Sequence, residues 1–322
     1  MSDPARGGGS GRAREHLRVA VVGAGAVGCF YGARLLKAGE EVSFLARGAQ
    51  LEALRERGLT LRVGTGEAEL AVEAVPDPSS VGPVDLVLFC VKSHDAAEAA
   101  RSLPPLVGPG TFVLALQNGL DHVEVVSEAV GPERVLVGSV QALAVEIVAP
   151  GVVEHNGGEG RIVFGEPEGG SSERTSRLGE VFSRAGIPHE LSGRMTRVLW
   201  EKFLFIAGVG GVTALARAPI GGLLGNPRGQ ALLRDSCEEI VAVARAEGVE
   251  LGPDPVGRVL RFAGTFPPGW RSSMGRDLEA GRRLEIDALS GAVVRRAEER
   301  GLPAPVHRVI SACLSVNRPD GG

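Results

Sequence analysis

Lysine is nearly missing from this chain of 322 residues: Lys37, Lys92 and Lys202 are the only three among 35 basic residues, and the rest are arginine. A codon bias toward arginine accounts for the trend. Arginine keeps its proton at any usable pH, however, so a site that needs a titratable amine is where the replacement should stall. Aromatic residues are scarce as well, at 4%. The four cysteines, Cys29, Cys90, Cys237 and Cys313, stand too far apart for a CxxC metal or redox site and read as free thiols of a reducing compartment. No apolar run reaches the length of a membrane span and no hydrophobic signal core opens the chain, so a soluble cytoplasmic protein is expected. Neither sign of charge dominates. With 35 basic and 39 acidic residues the net charge is −4, which supplies no electrostatic footprint for nucleic acid. A hydrophobic share of 43% beside 23% charged residues excludes a disordered chain.

What is present is organised in two parts, in keeping with the length, which sets a prior of about two domains. Residues 1–16, of Gly, Arg and Ser character, read as a disordered leader, and 318–322 as a tail. Over 17–190, apolar runs at Leu17–Val22, Glu41–Ala46, Val84–Val91 and Thr111–Leu116 alternate with helical stretches at Ala26–Ala38, Gln50–Arg57 and Ala96–Leu103. Such alternation predicts an α/β domain with a parallel sheet covered by helices on both faces. Leu59–Val63 and Leu70–Val75 read as further extended pieces. The strand-rich stretch Val135–Val148, Val152–Glu154 and Arg161–Phe164 suits an antiparallel edge that closes the domain. Over 191–317 the pattern turns helical: Thr196–Ala207, Arg228–Glu247, Pro255–Ala263, Gly275–Arg300 and Ala304–Val316. A small substrate would bind in the cleft between the two domains.

Val19–Val22 runs into Gly23-Ala24-Gly25-Ala26-Val27-Gly28, a strand followed by G-x-G-x-x-G at the start of a helix. Gly23 allows the tight turn, Gly25 the close approach of a pyrophosphate, and Gly28 the packing of helix on strand. The helix N-terminus points bare N–H groups at the phosphates. A helix-packing turn without ligand is the alternative. An NAD site would place an acid about 20 residues further on; here the second strand ends in Arg47, 47 − 28 = 19 residues on. A guanidinium suits a 2′-phosphate through forked, charge-assisted contacts. Lys92, at the carboxyl end of the Val84–Val91 strand, is a second candidate for the same phosphate, so NADPH is expected as the cofactor. Either residue alone also reads as a solvated surface charge. Asn118, in Gln117-Asn118-Gly119 after the Thr111–Leu116 strand, can orient the nicotinamide ribose or the substrate, or simply make an Asn-Gly turn.

Two charges fall on apolar faces. Lys202 lies in the stripe Met195, Val198, Leu199 and Ile206, where it either snorkels outward or has a task. Glu285 falls in the stripe Leu278, Gly281, Leu289, Ala292 and Val293, where it either pairs with a nearby arginine or meets Lys202 across the cleft. A lysine beside a carbonyl undergoing hydride attack stabilises the developing charge and delivers the proton. Ser272 and Ser273 can hold a substrate carboxylate, cap the helix beginning near Gly275, or do both.

These residues, in this order, resemble ketopantoate reductase (2-dehydropantoate 2-reductase). The resemblance runs from about Arg18 to Val316. It rests on the glycine motif, Val91-Lys92-Ser93, Gln117-Asn118-Gly119-Leu120, Leu199-Trp200-Glu201-Lys202, Ser272-Ser273-Met274 with Asp277, and Leu284-Glu285-Ile286-Asp287. It implies a Rossmann domain followed by an all-helical domain like the C-terminal domain of 6-phosphogluconate dehydrogenase. It implies NADPH and reduction of a 2-oxo acid to a 2-hydroxy acid, by default 2-dehydropantoate to pantoate in pantothenate and coenzyme A biosynthesis. It also implies Lys202 as general acid, Glu285 as its partner, Asn118 near the nicotinamide, Ser273 on the substrate carboxylate, and Arg47 and Lys92 on the phosphate. Pocket asparagines of the family are replaced here by Ile206, Gly210, Ile220 and Trp270. A site built on such hydrogen bonds does not keep the same grip without them, so a paralogue acting on another, more apolar 2-oxo acid or ketone stands as the alternative. A non-catalytic NADPH-binding regulator is the third reading. The small-molecule substrate is the partner expected, with a homodimer as one assembly to consider.

Overall fold

Val19–Val22 are buried on both faces because β1 (Arg18–Val22) lies inside an eight-stranded sheet, between two parallel neighbours. The computed structural model describes residues 16–316. Of the expected leader only His16 is among them, and the expected tail lies outside. After β1 come α1 (Ala26–Lys37), β2 (Glu41–Leu45) and α2 (Gly48–Arg57). A hairpin of β3 (Leu59–Val63) and β4 (Gly66–Leu70) follows, then β5 (Glu73–Val75) and β6 (Val84–Phe89). Next are α3 (Ala96–Arg101), β7 (Val107–Ala115), α4 (His122–Val130) and β8 (Val135–Gln141). The domain ends with β9 (Ala144–Ala149), β10 (Val152–Gly157), β11 (Arg161–Gly165), α5 (Glu173–Arg184) and β12 (His189–Leu191).

The main sheet has the order β12-β11-β8-β7-β6-β1-β2-β5. From β8 to β5 every neighbour is parallel, so the carboxyl ends of β1, β2, β6 and β7 share one edge. The antiparallel closing edge is narrower than expected. Only β11 runs antiparallel on β8, while β9 and β10 join the hairpin in a second sheet, β4-β3-β10-β9. The expected piece Leu70–Val75 is likewise split, since β4 ends at Leu70 and β5 begins at Glu73. The reason is burial: β4 is largely exposed and polar, unfit for a sheet covered on both faces.

The helical domain begins with α6 (Met195–Phe203), a π-helical turn over Leu204–Val209, and α7 (Gly210–Ala216). Together these form one rod of 22 residues holding an 18-residue stretch with a mean hydropathy of 1.5, long and apolar enough by composition to cross a membrane. No run of that length was expected. Its apolar side chains instead build the domain core, where Phe203, Ala207 and Val212 pack with Leu233, Ile240 and Ile310. Then follow α8 (Ile220–Leu224), α9 (Pro227–Ala246), α10 (Pro255–Ala263), α11 (Ser273–Glu279), α12 (Ser290–Glu299) and α13 (Pro305–Ser315). The start of α9 is set by Asn226, whose side chain accepts from Arg228 and Gly229 N–H, with Pro227 in the first turn.

One expected helix is two. Gly275–Arg300 breaks because Gly281 takes a left-handed φ of +65° and closes α11, its N–H donating to the Leu278 carbonyl. Residues 280–289 are irregular, so Glu285 stands on a connecting segment and not on a helical stripe.

Candidate active site

The turn between β1 and α1 is shaped for an anion. Gly23 has φ +98°, and a side chain there would press into the backbone of Val91. A Cβ on Gly28 would collide with the Gly23 carbonyl, whereas one on Gly25 would meet nothing within 4 Å. The Ala24 N–H is already donated to the Leu45 carbonyl at 3.2 Å. The first-turn N–H groups of Ala26, Val27 and Gly28 have no intrahelical acceptor, and Gly25 brings no capping side chain. This cradle fits a pyrophosphate. Arg47 ends the β2 crossing, precedes α2, and pairs with Glu98 on α3 at 2.9 Å, both side chains being exposed.

At the ends of β6 and β7 the two domains meet. Lys92 Nζ lies 3.1 Å from Asp277 Oδ2 and 3.3 Å from Glu285 Oε2, and the Ser93 N–H donates to Glu285 Oε1 at 3.0 Å. Glu285 is only 8% exposed, so its charge needs these partners. Burial works against the Lys92 charge, but Glu285 and Asp277 outweigh it and hold its amine above the ordinary lysine range. Half-buried Asn118 lies three residues beyond β7, and a side chain on Gly119 (φ +101°) would press on the backbone of Ala288 in the segment that carries Glu285. A second tie lies alongside: Asp121 binds Arg295 at 2.7 Å and also Arg296, which reaches Glu247 at 2.7 Å. This cluster of Asp121 and Arg296 was not anticipated, since charges so far apart in sequence give no local signal.

Lys202, on the last turn of α6, is the contrasting amine. Its pKa is lowered to about 8 by burial, with Glu285 pulling the other way. The Glu285 charge reaches Lys202, but the expected meeting of the two is not a direct bond: the carboxylate bonds Lys92 and Ser93. Facing Lys202 from the Rossmann side is His122, which opens α4. It is held down to about 4 by burial and by the Lys202 charge, against the pull of Asp121 and the Gly119 carbonyl.

Ser272 caps α11: its Oγ accepts from the Gly275 N–H at 3.0 Å, lies 3.0 Å from Thr213 Oγ1 and 3.2 Å from the Gly210 carbonyl. That hydroxyl staples α11 to α7, which leaves exposed Ser273 as the serine turned to solvent. The π turn is stabilised from α9, where Ser236 Oγ donates to the Gly208 carbonyl at 3.1 Å. Ile206 is half-buried within the turn and Ile220 fully buried. Trp270 joins Phe205, Phe262 and Phe266 in an aromatic cluster with ring centroids 4.7–5.7 Å apart. Phe205 follows Lys202 by three residues, hence on the adjoining face of the rod.

Residues 19–169 match the family described as ketopantoate reductase PanE/ApbA, and residues 194–317 match its C-terminal domain. A 2-dehydropantoate 2-reductase of Halobacterium salinarum is 37% identical over 309 residues, spanning 95% of this chain and 100% of that protein. The crystal structure of a PanE/ApbA family ketopantoate reductase from Ralstonia eutropha JMP134 is similar at a TM-score of 0.86 and 37% identity, covering 93% of this chain and 98% of that one. D-mandelate dehydrogenase, solved with NADH and anilino(oxo)acetate, shares the fold at a TM-score of 0.86 and 22% identity, covering 93% and 98%.

Proposed function

Because the chain belongs to the ketopantoate reductase family, we propose that it reduces 2-dehydropantoate to pantoate with NADPH, with Lys202 as the general acid. That it is an oxidoreductase of the C=O/CH–OH type, reducing a 2-oxo acid with a nicotinamide dinucleotide, follows from the family. The observation that carries the finer reading is the Lys202 amine, lowered to about 8 and answered by the charge of a buried acid beside the carboxyl edge of the sheet.

When bound, the dihydronicotinamide supplies a hydride to the carbonyl carbon. At neutral pH Lys202 is an ammonium, roughly a few hundred-fold stronger as an acid than a free lysine. It stabilises the charge growing on the substrate oxygen and gives that oxygen its proton. Glu285 keeps the ammonium charged against the cost of burial. Asn118 orients the substrate or the ribose, and Ser273 contacts the substrate carboxylate. The N–H groups of the Gly23–Gly28 turn hold the pyrophosphate. Arg47 takes the 2′-phosphate, since an exposed pair such as Arg47–Glu98 is worth little and exchanges readily. Lys92 can join it only by leaving Asp277 and Glu285. Read this way, the enzyme serves pantothenate and coenzyme A synthesis.

A second reading concerns the substrate. The rings of Phe205, Phe262, Phe266 and Trp270, with Ile206, give the region next to Lys202 an apolar wall. It favours a 2-oxo acid with a larger apolar side chain. Steady-state turnover of 2-dehydropantoate and of a panel of aliphatic and aromatic 2-oxo acids, with NADPH and with NADH, decides between the two. Absence of turnover on all of them, or full turnover by Lys202→Ala, removes the proposal.

A further inference from the structure

Three buried polar side chains, borne on or next to elements that pack around α6, lack the hydrogen bonds that burial demands. Gln117, 4% exposed, leaves both amide atoms unpartnered; His122, also 4% exposed, leaves both ring nitrogens so; and Ser139 Oγ is a third. The Gly119 carbonyl pulls on the imidazole but falls short of hydrogen-bond geometry. Topology brings the three to one place. Ala115, the last residue of β7, is paired with Val137 on β8, and Gln117 and Ser139 each lie two residues beyond that last pair. Side chains alternate, so both lie on the face that also carries Val137. That face packs against Met195 and Leu199 of α6 and against Val123 of α4. Lys202 is one turn beyond Leu199, and His122 immediately precedes Val123.

Buried polar groups are satisfied by protein, water or ligand in nearly all structures. Two groups nearby have donors to share: Arg296, whose Nε is unpartnered while its other nitrogens are held by Glu247 and Asp121, and the Lys202 ammonium, which brings three N–H bonds.

We propose that His122 is a positioning residue for the general acid: a ring nitrogen of the neutral imidazole accepts a hydrogen bond from Lys202 Nζ, directly or through one water, in a polar seat completed by Gln117 and Ser139. The proposal rests on Lys202 being the acid, and adds what holds it. Neutral His122 is required, and burial together with the lysine charge keeps it neutral at ordinary pH. The charged groups around the pair are Asp121 in the turn before α4, Arg296 of α12, which binds Asp121, and Glu285 of the 280–289 segment. A bond accepted from the ammonium favours the charged form, so His122 raises the Lys202 pKa relative to an apolar neighbour.

The chain has only three lysines, so the amine resonances of a ¹³C-lysine-labelled sample are assigned by single Lys→Arg changes and titrated without any turnover. His122→Phe is expected to move the Lys202 midpoint down by about one pH unit, with NADPH affinity unchanged. His122→Gln, which keeps an acceptor, is expected to restore at least half of that shift. In the wild-type framework, Lys202→Ala is expected to move the ¹⁵N resonance of the accepting His122 nitrogen, which serves even where His122→Phe does not fold. An unchanged Lys202 midpoint in folded His122→Phe, a glutamine variant no better than phenylalanine, or an unmoved His122 resonance overturns the inference. Retained turnover in Lys202→Ala overturns the general-acid reading instead, so the two failures are told apart.

Discussion

Lys92, at the end of β6, and Lys202, at the end of α6, share one carboxylate field, that of Glu285, yet their amines shift in opposite directions. Lys92 is 48% exposed and bonded to two acids; the carboxylates prevail and the proton is held more tightly. Lys202 is half-buried, makes no hydrogen bond to Glu285 and feels its charge through space; burial prevails and the proton is loosened. The difference teaches that proximity to an acid does not by itself set a lysine's character. What decides is whether solvent or direct bonds compensate the charge. The one amine ties the two domains together, and the other holds its proton more loosely than a free lysine.

The comparison breaks most sharply if the two lysines are exchanged for alanine in turn. Lys202→Ala is expected to lower kcat by about 10²–10⁴-fold with NADPH affinity held, as measured by single-turnover kinetics and nucleotide titration. Lys92→Ala is expected to act far more on KM than on kcat. Glu285→Gln removes the shared field. Lys202 then falls further below about 8 and turnover at neutral pH drops by about tenfold or more. In the wild type the reduction rate is expected to fall as pH rises through about 8, because only the ammonium is an acid; in Glu285→Gln that limb moves to lower pH.

Arg47→Ala is expected to raise KM for NADPH by about tenfold with NADH unaffected, the loss of one charge-assisted contact. Stability supplies a finer test. The native pKa of Lys202 lies below the ordinary 10.5, so the unfolded chain binds more protons between about 8 and 10.5 and stability rises with pH across that window. Denaturant melts of wild type and Lys202→Met are expected to diverge there, the variant lacking the rise. For Lys92, whose pKa is raised, the sign reverses and its contribution fades above 10.5. Smallest of all, Asp277→Asn is expected to change KM only a few-fold, since half-exposed ion pairs are worth about 0–1 kcal/mol.

Much of the site was legible because its chemistry is written in short stretches. The Gly23–Gly28 turn behaves as read, down to the open space at Gly25 and the crowding at Gly28. Pro255–Ala263 was bounded correctly; the scarcity of lysine drew attention to Lys202, and the end of the Val84–Val91 strand to Lys92. Glu285 was found for a mistaken reason: it seemed to interrupt a helical stripe, but Gly281 ends that helix and the acid reaches the site from a loop. His122 and Gln117 gave no periodic signal, because one opens a helix and the other lies in the turn after a strand. For Ser272 the capping half of the double reading is visible: its hydroxyl accepts from the Gly275 N–H and ties α11 to α7.

Residue order by itself determined the α/β half, the helical half and the nucleotide turn, because strand alternation, helical periodicity and glycine stereochemistry act over a few neighbouring residues. Only the tertiary structure decided which acid bonds which lysine and how loosely each amine holds its proton. Those depend on desolvation by groups from β6, β7, α4, α6 and the 280–289 segment, brought together over as many as 193 positions of chain, and no local pattern records that sum.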